Sequence, residues 1–413
     1  MLSVGVFVDL WWRLEAGGHV KCWERFAEAA VALGDELDLT LHFLGERQET
    51  VALSDRVRYV LHPPRFSTER LPFLRGVADA TDLAGLNPKL LPYLARYDVL
   101  HATHPLFVFG KTVLKFARES GKPLVASVHT DVPRYTRIYT AQIVERLAGR
   151  GWLSRLILER GQFARRRGEA MERQLLDYYR YCDRVIVSQT DDYNQAVQIL
   201  PPERVSYLQR GIDPEQFSPE RRDRNQLQQT YDIPTDKPLL LFVGRLDPCK
   251  RVITVAQAAR QLLDRGIQLH TLFVGKGNSA PEIQALLGDN VTLPGVLPHD
   301  RLGWIYASAD LFVFPSDTET YGNVIVEAKA SGLPAIVSTQ GGSAQQIRQP
   351  GQDGLQIEGH DPATWAAAIA SLLENPPART AMGQAARQQV LSEWPSWQSV
   401  LENDLLSIWR SLV

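Results

Sequence analysis

The chain has 413 residues, which is too long for one ordinary hydrophobic core and predicts two domains, or three at most. Apolar residues make up 44% of it and charged residues 22%, as in an ordinary soluble globular protein. The formal net charge of -2 argues against a global basic field, so no nucleic-acid partner is expected.

Short apolar runs alternate with amphipathic helical stretches, which is the pattern of doubly wound parallel sheets. In the first half, strands are predicted over residues 4–8, 39–44, 57–61, 99–101, 124–129 and 184–188. A helix over residues 23–33 follows the first strand. In the second half, strands are predicted over residues 239–243, 268–274, 291–293, 311–314 and 335–337.

Two further segments bear on domain organisation. Prolines and a charged run interrupt the apolar pattern between residues 211 and 236, so we place the domain boundary there. Residues 396–412 have the apolar spacing of an amphipathic helix. The three cysteines, Cys22, Cys182 and Cys249, show no metal-ligand spacing and are expected to be buried thiols in a reducing compartment.

Two carboxylates, Glu319 and Glu327, flank the predicted junction between the strand at 311–314 and the next helix. Gly322 and Asn323 open that helix, and Ser331-Gly332-Leu333-Pro334 ends it. A helix start carries unpaired N–H groups and partial positive charge, which suit a phosphate. The two carboxylates could then accept hydrogen bonds from hydroxyls at opposite ends of a phosphate-linked ligand, such as a sugar nucleotide.

A second group of charges follows the strand at 239–243, in Gly244-Arg245-Leu246-Asp247-Pro248-Cys249-Lys250-Arg251. A diphosphate leaving group needs cations, because negative charge accumulates on its bridging oxygen as the glycosidic bond breaks. Arg245 and Lys250 lie on either side of an Asp-Pro turn and could converge on one diphosphate. Basic residues in such a loop are otherwise simply solvated.

These motifs resemble those of the group-1 (GT4) family of retaining glycosyltransferases with the GT-B fold. Residues Glu319 to Glu327 match its E-x7-E signature, and the following Gly341-Gly342 pair and the G-R-x-x-x-x-K string from Gly244 to Lys250 match as well. The resemblance runs over nearly the whole chain. It implies an α/β protein of two Rossmann-like doubly wound domains facing across a cleft, with the C-terminal helix crossing back to the first domain. We place the domains at residues 1–215 (acceptor side), 216–394 (donor side) and 395–413 (the returning helix).

The resemblance also implies roles for individual residues. His129, which ends the predicted strand at 124–129, resembles the first-domain histidine that contacts the transferred sugar, and it forms the expected catalytic pair with Glu319. The expected donor-binding residues are Gly17, Gly18, Arg245, Lys250, Thr320, Tyr321, Gly322, Asn323 and Glu327. No metal and no cofactor are expected, because the cations replace a metal and the nucleotide sugar is a substrate. His101 and His104 are expected to line the cleft.

Three positions depart from the family's commoner wording. Arg210 stands where asparagine is more usual, Tyr321 stands in place of phenylalanine, and Lys329 stands where Ala-Met-Ala is commoner. A separate string, Val274-Gly275-Lys276-Gly277-Asn278-Ser279-Ala280, matches the dinucleotide fingerprint but lacks the acidic residue about 20 positions on. We interpret it as a loop near the nucleotide base and ribose.

Residues 141–180 are rich in arginine, with apolar residues between the charges. A basic amphipathic helix can lie on an anionic membrane surface, which would suit a lipid acceptor, but the glutamates among the arginines equally allow a solvated face. Both interpretations stay open. The first strand begins almost at the N-terminus without a signal segment, and no run approaches the roughly 18 apolar residues of a membrane span. The expected compartment is the cytoplasm, with the inner face of the membrane as a possible location.

The sequence therefore predicts an enzyme that moves a hexosyl unit from a UDP- or GDP-linked sugar to a hydroxyl acceptor, a lipid or a glycan, with retention. Two alternatives remain. One is an epimerase or phosphorylase of the same architecture, and the other is a non-catalytic protein that binds sugar nucleotides. The base, the sugar, the acceptor and the oligomeric state are not specified by the sequence.

Overall fold

The computed structural model describes residues 1–70, 81–129, 136, 137, 140, 141, 143, 144 and 163–413. The chain divides into two compact units. Unit 1 consists of residues 1–209 together with 397–413, and unit 2 consists of residues 210–396. Each unit contains a parallel sheet flanked by helices, as the alternating pattern predicts.

The described part of unit 1 contains an eight-stranded sheet with the order β3-β4-β2-β1-β5-β6-β7-β8. Its pairings are parallel except that of β3 with β4. The strands are β1 Leu2–Trp11, β2 Leu37–Leu44, β3 Glu49–Ala52, β4 Val57–His62, β5 Val99–Ala102, β6 Leu124–Ser127, β7 Arg184–Val187 and β8 Val205–Tyr207. The helices are α1 Gly18–Val31, α2 Leu91–Leu94, α3 Val108–Ser120, α4 Phe163–Tyr179 and α5 Thr190–Ala196.

Unit 2 contains a fully parallel six-stranded sheet with the order β11-β10-β9-β12-β13-β14. The strands are β9 Leu239–Val243, β10 His270–Val274, β11 Val291–Gly295, β12 Leu311–Phe314, β13 Ala335–Ser338 and β14 Leu355–Ile357. The helices are α6 Arg224–Tyr231, α7 Val252–Asp264, α8 Ala280–Leu287, α9 Leu302–Ser308, α10 Asn323–Ala330, α11 Gly341–Gln345, α12 Pro362–Leu373 and α13 Pro376–Glu393. The central strands are buried on both faces, which explains their continuous apolar runs.

The C-terminal helix, residues 397–410, belongs to unit 1, as expected of a helix that returns to the first domain. It consists of α14 Trp397–Val400, a π-helical segment Leu401–Leu406 and α15 Ser407–Arg410. Its apolar residues complete the core beneath α1, where Trp397 packs edge-on against Phe26 at 5.1 Å between ring centroids.

The sheet order fixes where ligands can bind in each unit. In unit 2, strands β9, β10 and β11 follow one another towards one edge of the sheet, and strands β12, β13 and β14 follow one another towards the opposite edge. The strand order therefore reverses between β9 and β12, and ligands bind beyond the carboxyl ends of strands at such a switch point. In unit 1 the corresponding reversal lies between β1 and β5.

Most predicted elements are present, with three differences. The short strands β3, β8 and β14 were not predicted, because they lack a continuous buried apolar run. Helix α1 begins at Gly18, well before the predicted residue 23, so the glycine pair caps the helix. Strand β6 ends at Ser127, and His129 therefore lies two residues beyond the strand.

The division between the units falls after residue 209, earlier than the boundary at 215 placed from the sequence. Residues 210–217 are tied to unit 2 by direct contacts. The Ile212 amide donates to the Pro395 carbonyl at 3.1 Å, and Arg387 donates to the Phe217 carbonyl at 2.7 Å. These bonds hold the segment against the end of α13.

Candidate functional site

The loop between β12 and α10 forms one wall of the candidate site in unit 2. The helix begins at Asn323 and ends at Ala330, as the sequence predicts, and Gly322 precedes it as the N-cap residue with φ of +88°. That left-handed conformation favours glycine. The first turn of α10 therefore begins in the loop beyond the carboxyl end of β12, where its first backbone N–H groups lack intrahelical partners.

The glycine pair at the start of α11 packs against the same loop. The Gly342 amide donates to the Glu319 carbonyl at 2.7 Å. A Cβ at Gly342 would lie 2.5 Å from the Thr320 carbonyl oxygen, and one at Gly341 would lie 2.8 Å from that of Asp317. The pair is therefore required for close backbone packing that shapes the loop carrying Glu319.

Lys250 and Glu319 form an ion pair where the loops after β9 and β12 meet. Their side chains are 11% and 20% exposed, so the pair is largely removed from solvent. The Thr318 hydroxyl donates to the Cys249 carbonyl at 3.2 Å and joins the two loops next to it. The sequence placed these residues in separate motifs, and the structure brings them into direct contact.

Arg245 lies in the same loop as Lys250 and is linked to it through Asp247. Its Nε is 3.3 Å from Asp247 Oδ2, and Asp247 Oδ1 accepts from the Lys250 amide at 3.2 Å. Asp247 thus caps the short 3₁₀ turn Pro248–Lys250 while contacting the guanidinium. The arrangement holds a guanidinium and an ammonium group on one loop at the carboxyl end of β9.

Glu327, about one turn into α10, has two side-chain partners that the sequence did not identify. The Tyr306 hydroxyl lies 3.0 Å from Glu327 Oε2, and His299 Nε2 lies 3.3 Å from Oε1. Burial, and then the Glu327 carboxylate, raise the pKa of Tyr306, so the phenol stays a hydrogen-bond donor. Each carboxylate oxygen can accept more than one bond, so the orientation is fixed while acceptor capacity remains.

The glycines of the dinucleotide-like string serve loop packing. A Cβ at Gly275 would lie 1.9 Å from the Gly244 carbonyl oxygen, and one at Gly277 would lie 2.1 Å from that of Leu246. The Leu246 amide also donates to the Lys276 carbonyl at 2.8 Å. The loop after β10 therefore supports the loop that carries Arg245 and Lys250.

The three departures from the family wording meet around Trp394. The Trp394 Nε1 donates to the Tyr321 hydroxyl at 3.0 Å, and the Arg210 guanidinium lies 5.5 Å from the centroid of the Tyr321 ring. Lys329 Nζ lies 5.2 Å from the Trp394 ring. Arg210, Tyr321 and Lys329 therefore form one cluster with Trp394, although Arg210 is far from the other two in the sequence.

Lys329 is fully buried beneath the site. Its Nζ donates to Asp353 Oδ2 at 2.7 Å, to the Gln346 carbonyl at 2.6 Å and to Gln389 Oε1 at 2.6 Å. The Gln346 side chain in turn donates to the Tyr321 carbonyl at 2.7 Å. Burial lowers the pKa of Lys329, and the Asp353 carboxylate opposes that effect.

Gly17, Gly18 and His129 lie in unit 1, apart from the residues above. Cβ atoms added at Gly17 and Gly18 would meet no atom of the described residues within 4 Å. The next residue, His19, stacks on His129 with ring centroids 4.3 Å apart and also lies 5.0 Å from His104. His19, which follows the glycine pair, thus lies together with His104 and His129 near the carboxyl ends of β1, β5 and β6.

Residues 142 and 145–162 of the arginine-rich segment at 141–180 lie outside the described residues, so the membrane interpretation stays a prediction. Of this segment the structure describes α4, whose exposed face carries Arg165 paired with Glu169 at 3.2 Å. Among the described residues, no helix combines the length and the apolar character that crossing a membrane requires. The three cysteines are buried and unpaired by disulfides, as expected.

Two family models match the chain in succession. The model of glycosyltransferase family 4 matches residues 16–216, and the model of the group 1 glycosyl transferases matches residues 223–389. The two matches meet near the boundary between units 1 and 2.

Two relatives of the chain are named as a glycosyltransferase and a sulfoquinovosyl transferase. The chain is 30% identical over 336 residues to D-inositol 3-phosphate glycosyltransferase 1 of Catenulispora acidiphila, covering 77% of this chain and 73% of that protein. It is 28% identical over 333 residues to sulfoquinovosyl transferase SQD2 of Arabidopsis thaliana, covering 78% of this chain and 60% of that protein.

Solved structures share the fold at low sequence identity. A sucrose-phosphate synthase from Thermosynechococcus elongatus superposes with a TM-score of 0.73 at 20% identity, covering 100% of this chain and 99% of that one. Anabaena HepE in complex with UDP and glucose gives 0.68 at 16% identity, with 98% of both chains covered. WaaG, a glycosyltransferase involved in lipopolysaccharide biosynthesis, gives 0.68 at 19% identity, covering 97% and 98%. With these relatives and two Rossmann-like units, the chain belongs to the group-1 (GT4) family of GT-B glycosyltransferases, enzymes that transfer sugars from nucleotide sugars.

Proposed function

We propose that this enzyme transfers a hexosyl unit from a UDP- or GDP-linked sugar to a hydroxyl acceptor with retention of the anomeric configuration. The observation that carries the proposal is the Lys250–Glu319 pair at the switch point of unit 2. It joins a cation suited to a diphosphate and a carboxylate suited to sugar hydroxyls in a single contact.

The leaving diphosphate is stabilised by positive charge from three sources. Lys250 and Arg245 supply an ammonium and a guanidinium from the loop after β9. The backbone N–H groups of residues 321–323 supply the partial positive charge of the start of α10. As the glycosidic bond breaks, these groups stabilise the charge that develops on the bridging oxygen. No metal takes part, so the reaction should survive chelation.

The carboxylates orient the two ends of the donor. Glu319 accepts from hydroxyls of the sugar, and its ion pair with Lys250 holds it beside the diphosphate. Glu327 accepts from the ribose, held in place by Tyr306 and His299. Thr320, Tyr321, Gly322 and Asn323 contribute the loop and helix start that enclose the phosphates.

Unit 1 contributes the remaining contacts. His129 holds the transferred sugar near the reacting carbon and acts with Glu319 as the catalytic pair. Gly17 and Gly18 allow the backbone to approach the donor closely. Both units therefore contribute to one reaction, and donor binding should bring about closure.

The acceptor is a lipid or a glycan hydroxyl. The names of the relatives leave the acceptor open, since one is named for D-inositol 3-phosphate and the other for the sulfoquinovosyl group that it transfers. Peripheral contact with the inner face of a membrane, through the segment 141–180, would deliver a lipid acceptor to a cytoplasmic enzyme. Salt-sensitive pelleting with anionic vesicles tests that contact, and no binding at low salt would remove it.

The test of the function is substitution at the central pair. Glu319→Ala and Lys250→Ala should each lower turnover about 100-fold or more, the scale for charge-stabilising groups. Lys115→Ala is the matched control, because Lys115 forms an exposed pair with Glu119 at 3.9 Å in unit 1 and should leave turnover unchanged. Wild-type rates in both site variants would refute the assignment, and an inverted product anomer would refute retention.

A further inference from the structure

A buried chain of hydrogen bonds in unit 1 joins the C-terminal helix to His129. Trp409 Nε1 lies 3.2 Å from His101 Nδ1, and His101 Nε2 lies 2.8 Å from Ser127 Oγ. Ser127 Oγ lies 2.8 Å from His129 Nε2. Trp23 Nε1 lies 3.2 Å from that same nitrogen of His129. Each of the five side chains belongs to a buried residue.

The donor and acceptor roles along this hydrogen-bond chain follow from the two tryptophans at its ends. An indole N–H can donate a hydrogen bond and cannot accept one at nitrogen. Trp409 therefore requires His101 Nδ1 to be an acceptor. Burial lowers the pKa of His101 to about 3, so this ring is neutral and carries its proton on Nε2. That proton is directed to Ser127 Oγ.

Ser127 can in turn donate a hydrogen bond to His129, in the same direction along the chain. Because its oxygen accepts from His101, its own hydrogen is available for His129 Nε2 at 2.8 Å. The second indole, Trp23, donates to His129 Nε2 independently. The Trp23 indole therefore requires His129 Nε2 to be an acceptor without a proton, and the donor–acceptor order that begins at Trp409 is consistent with this assignment.

We propose that these four neighbours are positioning residues that hold His129 in the neutral form with its proton on Nδ1. In this form Nδ1–H is a hydrogen-bond donor, and the ring offers no base at Nδ1. A proton added at Nε2 would meet the Trp23 N–H and the Ser127 hydroxyl directly, which disfavours the imidazolium. The stacked ring of His19 restricts rotation of the imidazole.

The consequence for catalysis rests on the proposed function. A donor at Nδ1 can hydrogen-bond a hydroxyl oxygen of the transferred sugar, whereas the other tautomer would present a lone pair there. His129 then orients the sugar without removing a proton. The C-terminal helix contributes to the first-unit site in this way through Trp409, which lies 308 positions from His101 in sequence.

The tautomer can be measured directly in the unliganded enzyme. Nitrogen-15 NMR of histidine-labelled wild-type protein separates protonated ring nitrogens from unprotonated ones, and the spectrum of His129→Asn identifies the missing signals. We expect a protonated Nδ1 and an unprotonated Nε2 for His129 near neutral pH. A protonated Nε2, whether in the other tautomer or in the imidazolium, would overturn the proposal. This result does not depend on which reaction the enzyme performs.

Variants separate positioning from packing. Trp23→Phe and Ser127→Ala should each keep the Nδ1–H form, because one donor to Nε2 remains. The double variant should lose it, with kcat lowered about 10-fold or more and the donor KM changed by less than about 3-fold. The control is Trp365→Phe, which removes an equally buried indole N–H, 3.1 Å from the Gly359 carbonyl in unit 2.

The outcomes are distinct. A double variant that keeps both the Nδ1–H form and the wild-type kcat would overturn the positioning roles. A loss of kcat as large in Trp365→Phe would show that burial of an indole, and not the tautomer, controls turnover, and would also overturn them. If the tautomer is found as expected and the enzyme does not transfer sugar, the proposed function fails while the structural assignment stands.

Discussion

Replacing Lys329 by methionine should lower the free energy of unfolding of unit 2 by about 3–5 kcal/mol, because it leaves a buried carboxylate without its ion-pair partner. Asp353, the partner, is nearly inaccessible, with 3% of its side chain exposed. The substitution restores the family's commoner residue at this position, so a simple reading of the family pattern would predict a neutral or favourable effect.

The magnitude follows from the contacts that are lost and those that remain. Asp353 keeps two backbone donors, the amides of Arg348 at 3.0 Å and Gln349 at 2.9 Å. Against this, the Gln346 carbonyl and the Gln389 side chain each lose a charged donor at 2.6 Å, and such bonds contribute about 1.5–3 kcal/mol. Together these changes support the range expected for breaking a buried pair.

The assay is urea unfolding followed by tryptophan fluorescence and far-ultraviolet circular dichroism, with the two signals compared because two units need not unfold together. Lys329→Met is measured beside Asp353→Asn and the double variant. Asparagine can still accept from the backbone amides without a charge. The double variant should therefore be more stable than the sum of the single losses predicts, by about 2 kcal/mol or more.

Lys115→Met is the control for removing a lysine charge, since exposed pairs contribute about 0–1 kcal/mol. The reasoning would be refuted by a loss below about 1 kcal/mol in Lys329→Met, which would lie far under the cost of a stranded buried charge. Strict additivity in the double variant would also refute it, because it would mean that the two side chains do not interact.

Two further predictions concern stability. Gly277→Ala should cost about 1–3 kcal/mol, because its Cβ would lie 2.1 Å from a backbone carbonyl oxygen, whereas Gly85→Ala, whose Cβ would meet no described residue within 4 Å, should be tolerated. The free energy of unfolding should also decrease as the pH is lowered below about 6.5. Burial lowers the pKa of His62 to about 4 and of His101 to about 3, so the unfolded chain binds protons that the folded chain excludes. At pH 5, each of these two histidines should have lowered the free energy of unfolding by about 2 kcal/mol. Asp9, whose pKa burial raises to about 8, offsets part of this loss.

Both stability predictions have clear checks. Equal unfolding midpoints for Gly277→Ala and Gly85→Ala would contradict the packing argument. For the pH dependence, unfolding is measured between pH 8 and pH 4 in wild type and in His62→Gln, where the acid loss should become smaller. An unchanged slope in the variant would show that His62 is not one of the groups excluded from protonation.

Much of the fold could be read from hydrophobic pattern because parallel strands buried on both faces are continuous apolar runs. Strands such as β9 and β12 were predicted to the residue. The short edge strands β3 and β14 were not, because edge strands bury little and carry a weak pattern. The helix of the E-x7-E motif was also predicted, since its glycine start and Gly-Leu-Pro stop are local signals.

The sequence predicted which charged residues belong to the candidate site, but it did not predict the side chains that contact them. The sequence predicts functional roles for Lys250, Glu319 and Glu327, but the contacts of Glu327 with Tyr306 and His299 join separate elements of unit 2. No spacing rule connects them. The same holds for the chain from Trp409 to His129, which passes through two strand ends and the C-terminal helix.

The sequence by itself determined the two Rossmann-like units and the loops that follow their strands, and it predicted which residues bind a nucleotide sugar. These properties depend on local signals: periodicity, glycine conformation and the chemistry of individual side chains. Only the tertiary structure decided that Lys329 is an internal cation paired with Asp353 and that His129 Nε2 lies within hydrogen-bond distance of the Trp23 indole and the Ser127 hydroxyl. The physical reason is that burial and hydrogen-bond direction are set by groups far apart in the chain, and both properties decide what charge a side chain carries.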